Sequence, residues 1–199
     1  MKSADIKKIR KKMEKTLDSA RFEHTLGVTY TAACLAMRYD ADITKAQIAG
    51  LLHDCAKCLT NEKRIFLCKH NIQMNEAELK NPQLLHAKVG SFLAMEEFDI
   101  HDQDIINAIL NHTTGRPDMS LLEKIIYIAD YIEPMRYKAS RLPEIRKIAF
   151  QDLDETMYEI LKGTLEYLDK KGNTIDPMTL QAYEYFAEAM KQKKANMHI

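Results

Sequence analysis

A histidine and an aspartate stand side by side at the end of an apolar run, at His53 and Asp54. The pair offers one nitrogen donor and one anionic oxygen donor at almost the same point. Because a carboxylate has two oxygens, Asp54 can bridge two cations while His53 holds one. Further donors of the same types occur at His24, His86, His112 and Asp130. Together, four histidines and two aspartates are enough for two metal sites that share Asp54.

The apolar surroundings of these donors favour a buried metal centre over a solvated helix end. A lone His-Asp dipeptide is a weak signal, because short motifs often match by chance. Here the pair follows the apolar residues 48–52, and the other donors also have apolar neighbours in helical patterns. A buried aspartate without a partner is costly, and metal coordination removes that cost. The sequence therefore predicts that the donors meet at a metal centre.

The donor types indicate transition metals. We assign His24, His53, Asp54 and Asp130 to a first ion, and Asp54, His86 and His112 to a second. Histidine and carboxylate donors suit Fe, Mn, Zn or Co better than Ca, and the absence of a thiolate argues against a purely soft site. We expect two divalent transition metals, with Fe, Mn, Co and Zn as the candidates.

Helical periodicity dominates the elements that must position these donors. Ile6, Ile9, Met13 and Leu17 share one face of a first helix, and no period-2 strand pattern competes along the chain. Capping boxes are expected at Thr44 to Gln47 and at Ser120 to Glu123, and a cap at Asn61. The later helices are expected at about residues 19–39, 44–54, 61–66, 84–98, 102–112, 120–133, 152–171 and 177–194.

Each donor lies near a helix end or on a separate helix, so a bundle can aim all six at one point. We therefore expect an all-α helical bundle with a dinuclear metal site. The length of 199 residues fits one domain with an ample core, over residues 1–199.

Composition limits the partners. Lys+Arg and Asp+Glu number 29 each, so no global basic charge draws nucleic acid or a membrane surface. No apolar stretch approaches the roughly 20 residues that span a bilayer. The charged residues 1–15 lack the apolar core of a secretory signal. We expect a cytoplasmic protein without nucleic-acid or membrane partners, and a homodimer is compatible with the sequence.

The order of the donors resembles the HD superfamily of metal-dependent phosphohydrolases. His24, the pair His53-Asp54 and Asp130 match its general pattern, and His86 and His112 match its two-metal branch. A closer resemblance lies in residues 21–24 (RFEH), 52–57 (LHDCAK), 85–87 (LHA), 111–115 (NHTTG) and 129–134 (ADYIEP) with Arg136. These strings are similar to the bacterial YqeK-like family of symmetrical diadenosine tetraphosphate hydrolases, over about residues 15–185. The chain departs from that family at residues 137–143, which lack the expected glycine-containing turn.

The resemblance implies an HD-domain fold and a reaction. A hydroxide bridging the two metals would hydrolyse diadenosine tetraphosphate to two ADP. Asp54 is then catalytic, and Lys57, three residues later, serves as a general acid or a phosphate clamp. A polyphosphate needs cationic and hydroxyl groups around the metals, and the candidates are Arg21, Thr113, Thr114 and Arg136. The expected ligand is a dinucleoside polyphosphate or a nucleoside diphosphate.

Other function classes remain open from the sequence. One is another HD-type nucleotide phosphohydrolase, acting on (p)ppGpp, a deoxynucleotide or a cyclic dinucleotide. A second is an HD-type di-iron oxygenase, because the same donors can hold an iron pair. A third is a nucleotide-binding sensor with a slow site. Oxygen consumption separates the oxygenase from the others, and product analysis separates the hydrolases.

Overall fold

The computed structural model describes residues 3–139 and 141–196, without the side chains of residues 3–5, 70 and 71. Within that part of the chain there are α-helices and one 3-10 turn (Pro82–Leu84), and no strand, so the all-α prediction is confirmed. The helices are α1 (Ser3–Thr16), α2 (Ser19–Arg38), α3 (Ile43–Leu52), α4 (Asn61–Asn71), α5 (Glu76–Lys80), α6 (Leu85–Phe98), α7 (Gln103–Asn111), α8 (Leu121–Ile132), α9 (Leu142–Ala149), α10 (Leu153–Lys170) and α11 (Pro177–Asn196).

Side-chain caps set the starts of several of these helices. The capping box of Ser120 and Glu123 is confirmed at α8. The other two predicted starts are wrong by one or two residues. Asp42 caps α3 by accepting the backbone N–H of Lys45, so the helix begins before the predicted Thr44 box. Likewise Thr60, not Asn61, caps α4, and this helix continues to residue 71 rather than ending at residue 66.

Two helices escaped prediction because they are short. α5 has five residues and is held by a capping box of Asn75 and Glu78. α9 has eight residues and buries Leu142, Ile145 and Ala149. Amphipathic periodicity needs a window of about 11–18 residues to be recognised. Residues 137–143, which depart from the family pattern, lead into α9. Residue 140 of this segment lies outside the described part of the chain.

The metal centre depends on close packing of α2 against α3. At Gly50 an added Cβ would lie 2.8 Å from the Cα of Thr29, so no larger residue fits without moving a helix. This approach brings the rings of His24 and His53 to a centroid distance of 5.5 Å. The lack of a side chain at Gly50 therefore allows α2 and α3, two of the donor-bearing helices, to pack closely.

A continuous apolar core surrounds these helices. One cluster of buried side chains extends from Ile9 in α1 to Phe186 in α11. A single domain over residues 1–199 stays a prediction, since residues 1, 2, 140 and 197–199 are outside the described part. None of the helices described is both long and apolar enough to cross a bilayer.

Candidate metal centre

The structure brings the six predicted donors together from five helices. His24 lies in α2, His86 in the first turn of α6 and Asp130 in α8. His53 and His112 are the residues that end α3 and α7. Because all the donors except the adjacent His53 and Asp54 come from separate parts of the chain, only the folded bundle assembles the cluster.

Asp54 lies at the centre of one group of donors. Its Oδ1 is 3.3 Å from Nε2 of His86 and 3.5 Å from Nε2 of His112. Its Oδ2 is 3.7 Å from Nε2 of His53. The side chain of Asp54 is 6% exposed, so these contacts are shielded from water. One carboxylate thus faces three imidazole nitrogens.

A second group adjoins the first at His53. Nε2 of His24 is 3.1 Å from Oδ1 of Asp130. Donor atoms of His24, His53 and Asp130 all lie within 4.8 Å of one another, and so do those of His53, Asp54 and His112. Two neighbouring groups of nitrogen and oxygen donors can hold two metal ions side by side.

Backbone carbonyls fix the tautomer of three histidines. In each, Nδ1 donates to the carbonyl three residues earlier: His53 to Gly50 (2.8 Å), His86 to Gln83 (2.5 Å) and His112 to Ile109 (2.7 Å). Because a carbonyl only accepts, Nδ1 carries the proton and Nε2 keeps its lone pair. The three nitrogens that face Asp54 are therefore available as metal ligands.

Burial prepares these groups for a cation. Nε2 of His53 is buried and has no hydrogen-bond partner, which is costly for a polar atom unless a ligand fills the site. Burial lowers the pKa of His53 to about 4 and that of His86 to about 3, so both imidazoles are neutral at pH 7. Burial opposes ionisation of Asp54, but neighbouring His53, His112 and Lys57 hold its pKa well below the usual value. This chemistry fits a divalent cation.

A buried glutamate that the sequence did not reveal holds His24. Oε1 of Glu133 is 3.1 Å from Nδ1 of His24, and Glu133 is 2% exposed. This contact directs the other nitrogen of His24 towards Asp130. Gly27 makes the space, because an added Cβ would lie 2.5 Å from Oε2 of Glu133. The glutamate stands in the string 129–134, but its role follows only from the fold.

Glu133→Gln is expected to weaken metal binding by the group that contains His24. Both carboxylate oxygens accept hydrogen bonds, from Nδ1 of His24 and from the backbone N–H of Met135, whereas an amide keeps one acceptor. Loss of such a supporting contact typically lowers metal affinity about 10–100-fold. Titration with Mn(II) or Co(II) measures the loss. Glu166→Gln, an exposed change in α10, is the control, and equal affinities in the two variants would contradict the expectation.

Lys57 and Thr113 lie against the same histidines. Nζ of Lys57 is 3.2 Å from Oδ1 of Asp54 and 3.1 Å from Nε2 of His86. Oγ1 of Thr113 is 3.1 Å from the Nε2 atoms of both His86 and His112. Each side chain therefore contacts residues predicted to be metal ligands.

The remaining substrate candidates differ in position. Arg21 lines the cleft over the cluster, as does Arg136. Arg136 also donates to Oδ1 of Asp130 at 2.7 Å, so it supports a predicted ligand, a role the sequence did not indicate. The hydroxyl of Thr114 donates to the carbonyl of Gly115, and Thr114 does not line this cleft. Its contact with substrate stays a prediction.

The cleft over the cluster has a volume of about 720 Å³. Asp54 and Asp130 form part of its floor, and Arg21, Lys57 and Lys138 are among its basic lining residues. A cleft of this size suits a nucleotide-sized ligand. Its position directly above the donors allows a bound phosphate group to meet the metals.

A buried glutamate also anchors the loop after His112. Oε1 of Glu123 accepts from Nδ2 of Asn111 and from Nε of Arg116, both at 2.7 Å. Oε2 accepts from Nη2 of Arg116 at 2.6 Å and from the backbone N–H of Ser120 at 2.7 Å. Glu123 is fully buried, so these four bonds fix the loop that carries His112 and Thr113.

Glu123→Ala is expected to lower the free energy of unfolding by about 3 kcal/mol, because it leaves the guanidinium of Arg116 without its buried partner. Urea denaturation measures the change. Glu184→Ala, an exposed substitution in α11, should cost little. A loss below about 1 kcal/mol for the Glu123 variant would show that the network adds little stability.

Comparison with known proteins adds to this geometry. A family model described as HD domain matches residues 21–135. The symmetrical bis(5'-nucleosyl)-tetraphosphatase of Bacillus subtilis (strain 168) is 40% identical, over 87% of this chain and 92% of that protein. The protein of the same name from Staphylococcus aureus is 35% identical, over 92% of this chain and 94% of its own length. A crystal structure of a predicted HD superfamily hydrolase involved in NAD metabolism, from Clostridium acetobutylicum, is 43% identical, with a TM-score of 0.89 over 95% of this chain and 99% of that one.

Proposed function

Because this chain belongs to the HD domain family, we propose that it hydrolyses diadenosine tetraphosphate symmetrically to two ADP. It is a hydrolase of phosphoric anhydride bonds. The observation that carries this function is the buried cluster of imidazoles and carboxylates at the base of a cleft whose lining includes Arg21, Lys57 and Arg136. Such a cluster binds divalent metal, and the cleft presents a polyphosphate to it.

The proposed ligands are those assigned from the sequence. His24, His53, Asp54 and Asp130 would hold one ion, and Asp54, His86 and His112 the other. Divalent cations at this position supply Lewis-acid activation of a water molecule and of the phosphate oxygens. We propose iron as the metal, with Mn, Co and Zn as alternatives, and metal analysis of anaerobically prepared protein tests that choice.

The basic side chains of the chain bind and orient the substrate. Arg21 and Arg136 line the cleft and can each hold phosphate oxygens through two N–H groups. Lys57 can hold an oxygen of the phosphate under attack and offset the charge that develops on the departing ADP. The hydroxyl of Thr113 can donate to the same phosphate group. In the proposed complex, these contacts would hold the central anhydride bond, rather than an outer one, near Asp54.

Chromatography of the products from a nucleotide panel tests this function. The panel contains diadenosine tetraphosphate, (p)ppGpp, a deoxynucleoside triphosphate and a cyclic dinucleotide, each with protein loaded with Fe(II), Mn(II) or Co(II). ADP from diadenosine tetraphosphate is the expected main product. Pyrophosphate from (p)ppGpp in larger amounts would favour a different nucleotide phosphohydrolase, and oxygen consumption would favour an oxygenase. Tight nucleotide binding without any turnover would favour the sensor.

A further inference from the structure

A second, smaller cleft adjoins the one over the metal donors. It has a volume of about 300 Å³ and shares Arg21 and Lys57 with the larger cleft. Arg64 is its third cationic lining residue, and none of the described residues that line it is acidic. The larger cleft, in contrast, contains several carboxylates in addition to the metal donors. The smaller cleft is therefore the more positive of the two.

Arg64 is a buried cation, and all the groups that accept its hydrogen bonds are neutral. The residue is 5% exposed. Its guanidinium donates to the carbonyls of Ala56 (3.3 Å) and Lys57 (2.6 Å) and to Oδ1 of Asn61 (2.8 Å). Burial and the neighbouring charge of Arg21 lower its pKa. The charge of Asp54 acts in the opposite direction, but the groups that accept hydrogen bonds from the guanidinium are neutral, so a bound anion would stabilise this buried cation.

The start of α4 adds to the positive character of this cleft. Thr60 caps this eleven-residue helix, and Asn61 is its first residue. Both line the cleft. The N-terminus of a helix carries a partial positive charge that favours anions, and Glu62 in the first turn of α4 offsets only part of it. A buried guanidinium and a helix N-terminus thus meet at one wall.

We propose that the smaller cleft binds the phosphate groups of the second nucleoside diphosphate arm of the substrate, while the larger cleft holds the first arm. This inference rests on the proposed function. A substrate cleaved at its centre extends in two directions from the reacting bond. Two clefts that meet at Arg21 and Lys57, beside Asp54, provide both directions. Arg64 also holds the carbonyl of Lys57, so it positions the shared lysine.

Asn61→Asp tests the inference with little change in shape. The new carboxylate keeps the acceptor for Arg64, and a negative charge is favourable in the first turn of a helix, so the variant should remain folded. The substitution places a negative charge in the cleft, and this charge partly neutralises the positive charge of Arg64. The KM for diadenosine tetraphosphate is expected to rise about tenfold, as when one charge-assisted contact is lost. Inhibition by ADP, which occupies the larger cleft alone, should change less than about twofold.

Two further variants make the result decisive. Asn173→Asp introduces the same charge at an exposed position in the turn before α11 and should leave the KM unchanged. Gln83→Glu places a carboxylate in the smaller cleft from another element and should raise the KM as Asn61→Asp does. An unchanged KM in both cleft variants of an active enzyme would overturn the inference. A loss of ADP binding equal to the loss of substrate binding would also overturn the inference, because the substitutions would then weaken binding in both clefts. A wild-type enzyme that does not cleave the substrate would instead overturn the proposed function.

Discussion

Asp54→Ala is expected to release both metal ions and to abolish turnover. One carboxylate oxygen is 3.3 Å from Nε2 of His86 and the other is 3.7 Å from Nε2 of His53, so the two oxygens face proposed ligands of different ions. A ligand shared by two ions cannot be replaced by a neighbour, whereas the loss of a ligand to one ion leaves the other partly held. His112→Ala should therefore deplete mainly one ion.

Metal analysis and product formation measured on the same samples check this expectation. Asp169→Ala, an exposed substitution in α10, is the matched control and should retain metal and activity. Circular dichroism establishes that each variant is folded. Full metal occupancy in folded Asp54→Ala would refute the assignment of Asp54 as the bridging ligand.

Removal of the metals is expected to lower Tm by roughly 10 °C. The donors come from α2, α6 and α8 and from the ends of α3 and α7, so a bound ion links most of the bundle. A ligand that binds only the folded state at about 1,000 times its Kd stabilises it by about 4 kcal/mol. In a chain of this size each kcal/mol corresponds to about 2–4 °C in Tm.

The comparison is made between metal-loaded protein and protein whose metal has been removed by a chelator, with the metal content verified in both. Asp54→Ala is the control, because a variant without metal should melt at the same temperature before and after chelation. An unchanged Tm after complete removal from the wild type would mean that the centre is energetically separate from the fold.

The sequence predicted the donor set because donor chemistry is a local property. His53, His112 and Asp130 each stand at or near the end of an apolar helical pattern, and the structure places those patterns in helices that converge. The start of α8 was recoverable for the same reason. Ser120 with Glu123 forms a cap within four residues, so no tertiary information was needed.

The supporting residues could not be predicted, because the fold, and not the local sequence, brings them to their partners. Glu133 contacts His24 across 109 positions, and no local pattern links the two. Glu123 was recognised as a cap, yet its bond to Arg116 depends on the path of the loop between them. Arg64 gave no signal, since a cation in a polar stretch is ordinarily solvated.

Hydrolysis in oxygen-18 water tests the central claim most directly. Mass spectrometry of the products from diadenosine tetraphosphate shows both the bond cleaved and the phosphorus attacked. Attack by water at the central anhydride predicts ADP alone, with one ADP of each pair labelled on its terminal phosphate. AMP together with ATP, or label on an inner phosphate, would contradict symmetrical cleavage over Asp54.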